Sequence, residues 1–241
     1  MTLKQKMSTE ISICMPVYNE AKSIKYVLEE WIEKLEKLDI KFNIICSEDG
    51  STDGTKNILK KLSIKNKKII NNSTLKKRGY SKAVISGIEK SKSKYIVCID
   101  SDGQCDPNDF IKFWKKRKHS SKFMIIGNRI NRKDSNFRIF ISTLFKILYK
   151  ILFKNNIKDP SCPYVLFQKK NFNLLKKKLL YMREGFWWGF TAIAALNKFS
   201  IKEVNINHRK RIYGQTNVYK IYKIPSIAIR NAIGLLKIRI I

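Results

Sequence analysis

Between residues 11 and 127 the sequence alternates short apolar runs with longer segments of helical period, and few architectures accept that alternation. ISICMPV (Ile11–Val17), FNIIC (42–46), 67–71, 95–99 and 122–127 read as strands. Segments 21–38, 54–62, Tyr80–Lys90 and 107–118 read as helices; the first carries apolar residues at Ile24, Val27, Leu28, Trp31, Ile32, Leu35 and Leu38. Strand and helix in turn specify an α/β fold, a mostly parallel sheet with helices on both faces. Such sheets bind ligands beyond the carboxyl ends of their strands. The acids Glu48–Asp49 and Asp100–Asp102 are therefore expected to converge on one crevice.

The second acid group stands out because the chain is so basic. Its 241 residues carry a formal net charge of +31, yet YIVCIDSDGQCDP (95–107) packs Asp100, Asp102 and Asp106 behind a strand. Carboxylates that close repel one another unless a cation sits among them. A polar turn leading into a helix at Asp-Pro is the other reading of the same residues. The charge is also unevenly spread. Residues 1–110 hold 20 Lys+Arg against 15 Asp+Glu, whereas residues 111–241 hold 30 against 4. A field of that sign favours an anionic partner: a membrane surface, a phosphorylated lipid or nucleic acid.

The five cysteines (Cys14, Cys46, Cys98, Cys105, Cys162) form no CxxC pair, and a reduced, cytosolic setting is expected. No secretory leader is expected at the start, and no apolar run is long enough for a conventional transmembrane helix.

From Arg138 the texture changes. In RIFISTLFKILYKILFK, Arg138, Ser142, Lys146, Lys150 and Lys154 follow one another at intervals of four, a narrow polar stripe on an apolar helix. Two readings stand side by side: a helix clamped among other elements, and a helix lying in a lipid interface with its cations near phosphates. Residues 218–241 repeat the theme with Lys223, Arg230 and Lys237.

Five stretches carry a family likeness: MPVYNE (15–20), SEDGSTDGT (47–55), RGYSKAVISGI (78–88), IDSDGQCDP (99–107) and GNR (127–129), followed by HRKRIYGQTN (208–217). In this order they resemble the family 2 glycosyltransferases, and most closely the polyprenyl- and dolichyl-phosphate sugar synthases. The likeness covers roughly residues 11 to 217. It implies a nucleotide-sugar transferase A-type (GT-A) Rossmann-like fold, with residues 1–217 as the catalytic domain, a donor half at 11–128 and an acceptor half at 129–217. Residues 218–241 would form an amphipathic membrane-associating tail.

The resemblance also implies roles. Asp100, Asp102 and Gln104 match a motif that holds Mg²⁺ or Mn²⁺ against the donor diphosphate, and all-oxygen ligands suit such hard cations. Pro16, Tyr18, Glu20, Glu48 and Asp49 match the residues around base and ribose, with Glu48 standing where relatives usually carry Asp. Lys82 reads as a donor-phosphate contact or as a solvated lysine. Gly50, Ser51 and Asp53 also suit a turn and helix cap. Arg129, Arg138 and Ser142 match positions that bind the lipid phosphate, and Arg211 would reach the phosphates between donor and acceptor. Asp159 matches the acid of a family motif whose following residues are here Cys162, Pro163 and Val165.

The implied reaction is metal-dependent and inverting. It moves one sugar from a GDP- or UDP-sugar to a polyprenyl phosphate at the cytoplasmic membrane face, with Asp100, Asp102, Arg138 and Arg211 as the catalytic group. Two routes to the membrane remain open: interfacial helices with charge, or a membrane-embedded partner protein. Nucleic acid is not an expected partner. The alternative is a family 2 enzyme with a hydroxyl acceptor and Glu184 as general base, because a sugar hydroxyl needs deprotonation. His119 and His208 receive no catalytic role.

Overall fold

The computed structural model describes residues 9–117, 122–130, 136–182, 184–211 and 224–240. Two compact units emerge: residues up to Ser101 together with Gln168–Lys170, and Asp102–Phe167 with the residues from Asn171 onward.

The first unit alternates as expected. It runs β1 (Ile11–Val17), α1 (Ile24–Glu36), β2 (Phe42–Glu48), α2 (Thr55–Lys65), β3 (Ile69–Asn71), α3 (Tyr80–Lys90) and β4 (Tyr95–Cys98). Its strands lie in the order β3-β2-β1-β4, all parallel. Every residue of β1 is buried, Ser12 included, which is why this strand does not alternate apolar and polar residues as a half-exposed strand would. Ile11 pairs with Phe42 on one side and Tyr95 on the other; Val17 pairs with Glu48. That register brings the ends of β1 and β2 level. The Asp49 N–H then donates to the Val17 carbonyl at 2.9 Å, and the Ile99 N–H to the Cys14 carbonyl at 3.2 Å. Helix α1 seats Ile24, Val27, Leu28, Trp31 and Leu35 in the core, but it begins at Ile24, because Glu20 and Ser23 hold the preceding residues in a turn.

The second unit opens on a 3-10 turn at Pro107–Asp109. It continues through α4 (Phe110–Lys116), β5 (Phe123–Ile130), α5 (Asn136–Phe153), β6 (Val165–Gln168), α6 (Phe172–Lys176), α7 (Phe186–Leu196), β7 (Ser200–Asn207) and α8 (Ile224–Ile240). Strand β5 is the axis, parallel to β7 along its whole length and antiparallel to β6. The single helix expected at 107–118 is thus a 3-10 turn followed by a shorter α-helix. Because β5 pairs with β7, it belongs with the later chain, and the first unit ends at Ser101.

Helix α7 is buried almost all round. Its Phe186, Trp187 and Phe190 rings meet edge-on and stacked at 4.9–5.6 Å between centroids. Helix α5 packs Phe145 and Tyr149 on Trp188 and buries Phe153. Its Leu144, Ile147 and Ile151 are exposed. On α8, Ile227, Leu235 and Ile238 are buried, whereas Ile229, Ile233, Leu236 and Ile240 are exposed. Among the described residues no helix is long and apolar enough to cross a membrane. Lys223 and residues 218–222 lie outside the described residues.

Candidate active site

The first unit gathers most of the expected donor residues at the carboxyl ends of its strands. After β1, Tyr18 keeps 37% of its surface exposed, and Lys77 Nζ stands 3.7 Å over its ring. Pro16 lies in β1 opposite Ser47. The loops after β1 and β2 are laced together. The Asn19 N–H donates to Ser51 Oγ and the Thr52 N–H to Asn19 Oδ1; the Glu20 N–H donates to Thr55 Oγ1 and the Ala21 N–H to Asp53 Oδ2, all at 2.9–3.0 Å. Asn19 and Asp53 are therefore the lacing residues, and Asn19 was not singled out from the sequence. Its αL backbone (φ 54), a conformation Asn tolerates, is a weak signal at best.

The acids of this edge are more structural than the sequence suggested. Glu20 is buried, and its Oε2 accepts from Ser23 Oγ at 2.6 Å. Glu48 is fully buried; Oε1 accepts from the Ser51 N–H, while Oε2 has no hydrogen-bond partner among the described residues. Asp49 is 3% exposed, and both its oxygens hold backbone: Oδ1 accepts from the Arg78 N–H at 2.9 Å and Oδ2 from the Gly79 N–H at 2.8 Å. Gly50 sits in this close approach with φ +70, and a Cβ there would lie 2.6 Å from Lys77 N and 2.7 Å from the Lys76 carbonyl carbon. Lys82 is exposed in the first turn of α3. Asp100, half-buried just past β4, accepts the Tyr80 hydroxyl at 2.7 Å on Oδ1. A concavity of about 500 Å³ lies at the opposite edge, beside Glu10, Ser93, Lys94 and Lys169, away from all these residues.

In the second unit, Asp102 is half-buried and Oδ1 accepts from the Gln104 N–H at 3.0 Å. Gln104, expected to reach a metal, has its amide nitrogen engaged: Nε2 lies 3.2 Å from His208 Nε2 and donates to the Arg209 carbonyl at 3.2 Å. The chain around them pairs as an antiparallel bridge, Cys105 with His208, and Arg209 binds Asp106 at 3.1 Å. The basic segment 208–211 thus runs against the acidic segment 102–106. Two distant stretches of sequence meet there, and Arg211 is half-buried at its end.

Arg129, expected on a lipid phosphate, is held by protein. Nε and Nη2 fork onto Asp159 at 2.6 and 2.8 Å, and Nη2 also reaches Ser161 Oγ at 2.7 Å. That anionic partner overcomes burial and lifts the guanidinium further above its ordinary range. Ser142 is half-buried on α5. Arg138 lies on the same helix, and its side chain is outside the described residues. Glu184 binds Arg230 through two 3.0 Å bonds, so the candidate base is an ion-pair partner. Among the described residues no three His, Cys, Asp or Glu side chains cluster as a metal cage.

Residues 12–193 match the sequence model of the family described as glycosyl transferase family 2. The chain belongs to that family. This family 2 chain is 26% identical over 220 residues to a dolichyl-phosphate beta-glucosyltransferase of Trichomonas vaginalis, covering 85% of this chain and 67% of the relative. It is 29% identical over 216 residues to the dolichyl-phosphate beta-glucosyltransferase of Dictyostelium discoideum, covering 82% and 65%. The family 2 chain spans between about half and two thirds of the length of such relatives. Among solved structures it resembles glucosyl-3-phosphoglycerate synthase from Mycobacterium tuberculosis in complex with Mn²⁺, UDP and phosphoglyceric acid. The TM-score is 0.68 at 15% identity, covering 97% of this chain and 79% of the other. Mannosyl-3-phosphoglycerate synthase from Rubrobacter xylanophilus gives a TM-score of 0.67 at 11% identity, covering 95% and 73%. These likenesses establish the GT-A fold.

Proposed function

We propose that the chain transfers one sugar from a GDP- or UDP-sugar to a polyprenyl phosphate, with inversion, at the cytoplasmic face of a membrane. The observation that carries the reading is Asp100 at the carboxyl end of β4, held by Tyr80 on the same sheet edge as Tyr18, Glu48 and Asp49. Ligands of open α/β sheets bind at that edge.

Mg²⁺ or Mn²⁺ fits the residues present. Asp100 and Asp102, two residues apart in sequence and each half-buried, offer hard oxygen ligands, and among the described residues no third acid completes a closed cage with them. Such a cation, completed by diphosphate oxygens, would offset the charge developing on the departing nucleotide. The relatives' names point to dolichyl phosphate as the acceptor class. A phosphate monoester, with second pKa near ~6, is already ionised at neutral pH and needs cations to position it, not a base. Ser142, Arg138 and Arg211 are the residues assigned to that phosphate. The ion pair of Glu184 with Arg230 argues against the hydroxyl-acceptor reading.

The exposed apolar rows of α5 and α8, with Lys150, Lys154 and Lys237 also exposed on these elements or their ends, support docking on an anionic lipid surface. The direct test offers radiolabelled GDP- and UDP-sugars with polyprenyl phosphate and Mg²⁺ or Mn²⁺. A labelled, organic-extractable glycolipid is expected. Transfer to glycan hydroxyls with none to the lipid would overturn the reading.

A further inference from the structure

We infer that Tyr80 is a positioning residue that fixes the carboxylate plane of Asp100, and that Asp49 fixes Tyr80. The inference rests on the proposed role of Asp100 as a ligand of the donor's cation. Asp49 grips two successive backbone N–H groups, those of Arg78 and Gly79, one on each oxygen. Gly79 has φ +100, a conformation that side-chain-bearing residues rarely adopt, and it hands the chain directly into α3. Tyr80 is the first residue of that helix, whose Ala83, Val84, Gly87 and Ile88 are buried. Its backbone therefore has little freedom.

The ring is only partly enclosed, with 42% of Tyr80 exposed. Its hydroxyl reaches Asp100 Oδ1 at 2.7 Å, the length of a good O–H···O⁻ bond. Tethering one oxygen of a short side chain restricts both of its torsions, so the carboxylate is presented in one orientation. Hydrogen bonds of this kind to cation-ligating groups hold them in the geometry the ion requires. Asp49 thereby acts at one remove: its two oxygens shape the turn, the turn sets the phenol, and the phenol sets Asp100.

The test measures UDP and GDP binding by calorimetry with and without Mn²⁺, in wild type, Tyr80→Phe, Asp100→Asn and the double variant. Tyr80→Phe should keep the wild-type melting temperature and metal-free nucleotide affinity. It should raise the Mn²⁺ concentration needed for half-maximal tightening by about tenfold. In the Asp100→Asn background the same change should add nothing, because coupled residues do not contribute independently. Equal weakening with and without Mn²⁺ would make Tyr80 a nucleotide contact and overturn the positioning role. An unchanged Mn²⁺ midpoint in Tyr80→Phe, with Asp100→Asn impaired, would overturn it while leaving Asp100 in place. If Asp100→Asn itself bound Mn²⁺ and nucleotide normally, the role of Asp100 and this inference would fall together.

Discussion

Arg129 and Asp159 form a buried fork, Nε to Oδ2 at 2.6 Å and Nη2 to Oδ1 at 2.8 Å, which ties the end of β5 to the loop before β6. Their side chains are only 13% and 3% exposed, so removing one partner strands the other's charge. Arg129→Met should lower stability by about 3–5 kcal/mol, and adding Asp159→Leu should restore much of it. Urea unfolding midpoints check this. A wild-type midpoint for Arg129→Met would mean that the fork holds nothing together.

Asp102→Asn should abolish transfer and weaken donor binding chiefly when Mg²⁺ or Mn²⁺ is present. The motive is its half-buried carboxylate two residues after Asp100. Donor titration with and without metal separates the two effects. Near-normal turnover would exclude Asp102 from the cation.

The chain should bind anionic vesicles, bind neutral ones less, and release partly as salt rises, since exposed charges are screened. Replacing Leu144, Ile147 and Ile151 of α5 with Ser should cut vesicle binding without loss of fold, because all three are already exposed. Vesicle co-sedimentation and a melting curve suffice. Unchanged binding would clear this face of contact with lipid.

Burial raises the Asp53 carboxyl. The Thr55 hydroxyl and the backbone N–H groups of Ala21 and Thr55 more than reverse that, holding it below its usual 3.8. A depressed folded pKa stabilises the protein above the unfolded value, and the benefit is lost as pH falls through the folded one. Asp53→Asn should therefore be less stable than wild type at pH 7, with the gap closing below about pH 3.8. Denaturant melts at pH 7, 5 and 3 would show a constant gap if Asp53 contributed no charge.

The first unit was legible because its strands are buried on both faces and its helices carry clean apolar stripes, as β1 and α1 show. The second unit hid its order. Strand β6 is only four residues long, α7 is apolar all round and so has no period to read, and the partner of β5 lies some 80 residues away in β7. Motifs located Asp49 and Asp100 but not what they touch. The Asp49 grip spans 29 and 30 residues and the Tyr80 bond spans 20, so these pairings depend on the fold and not on local sequence. Residue type could suggest that Arg129 seeks an anion; it could not say that the anion is Asp159.

The approach of Gly50 to the backbone of Lys76 and Lys77 bears on how such a protein can change its diet. Two independent obstacles, a left-handed φ and a backbone 2.6 Å away, close position 50 to the other amino acids. A saturation library should return glycine alone there, whichever nucleotide is selected for. Under the proposed donor role, a change of nucleotide would run through neighbours with room to vary, such as the half-exposed Tyr18 and the exposed Lys82, while position 50 stays fixed.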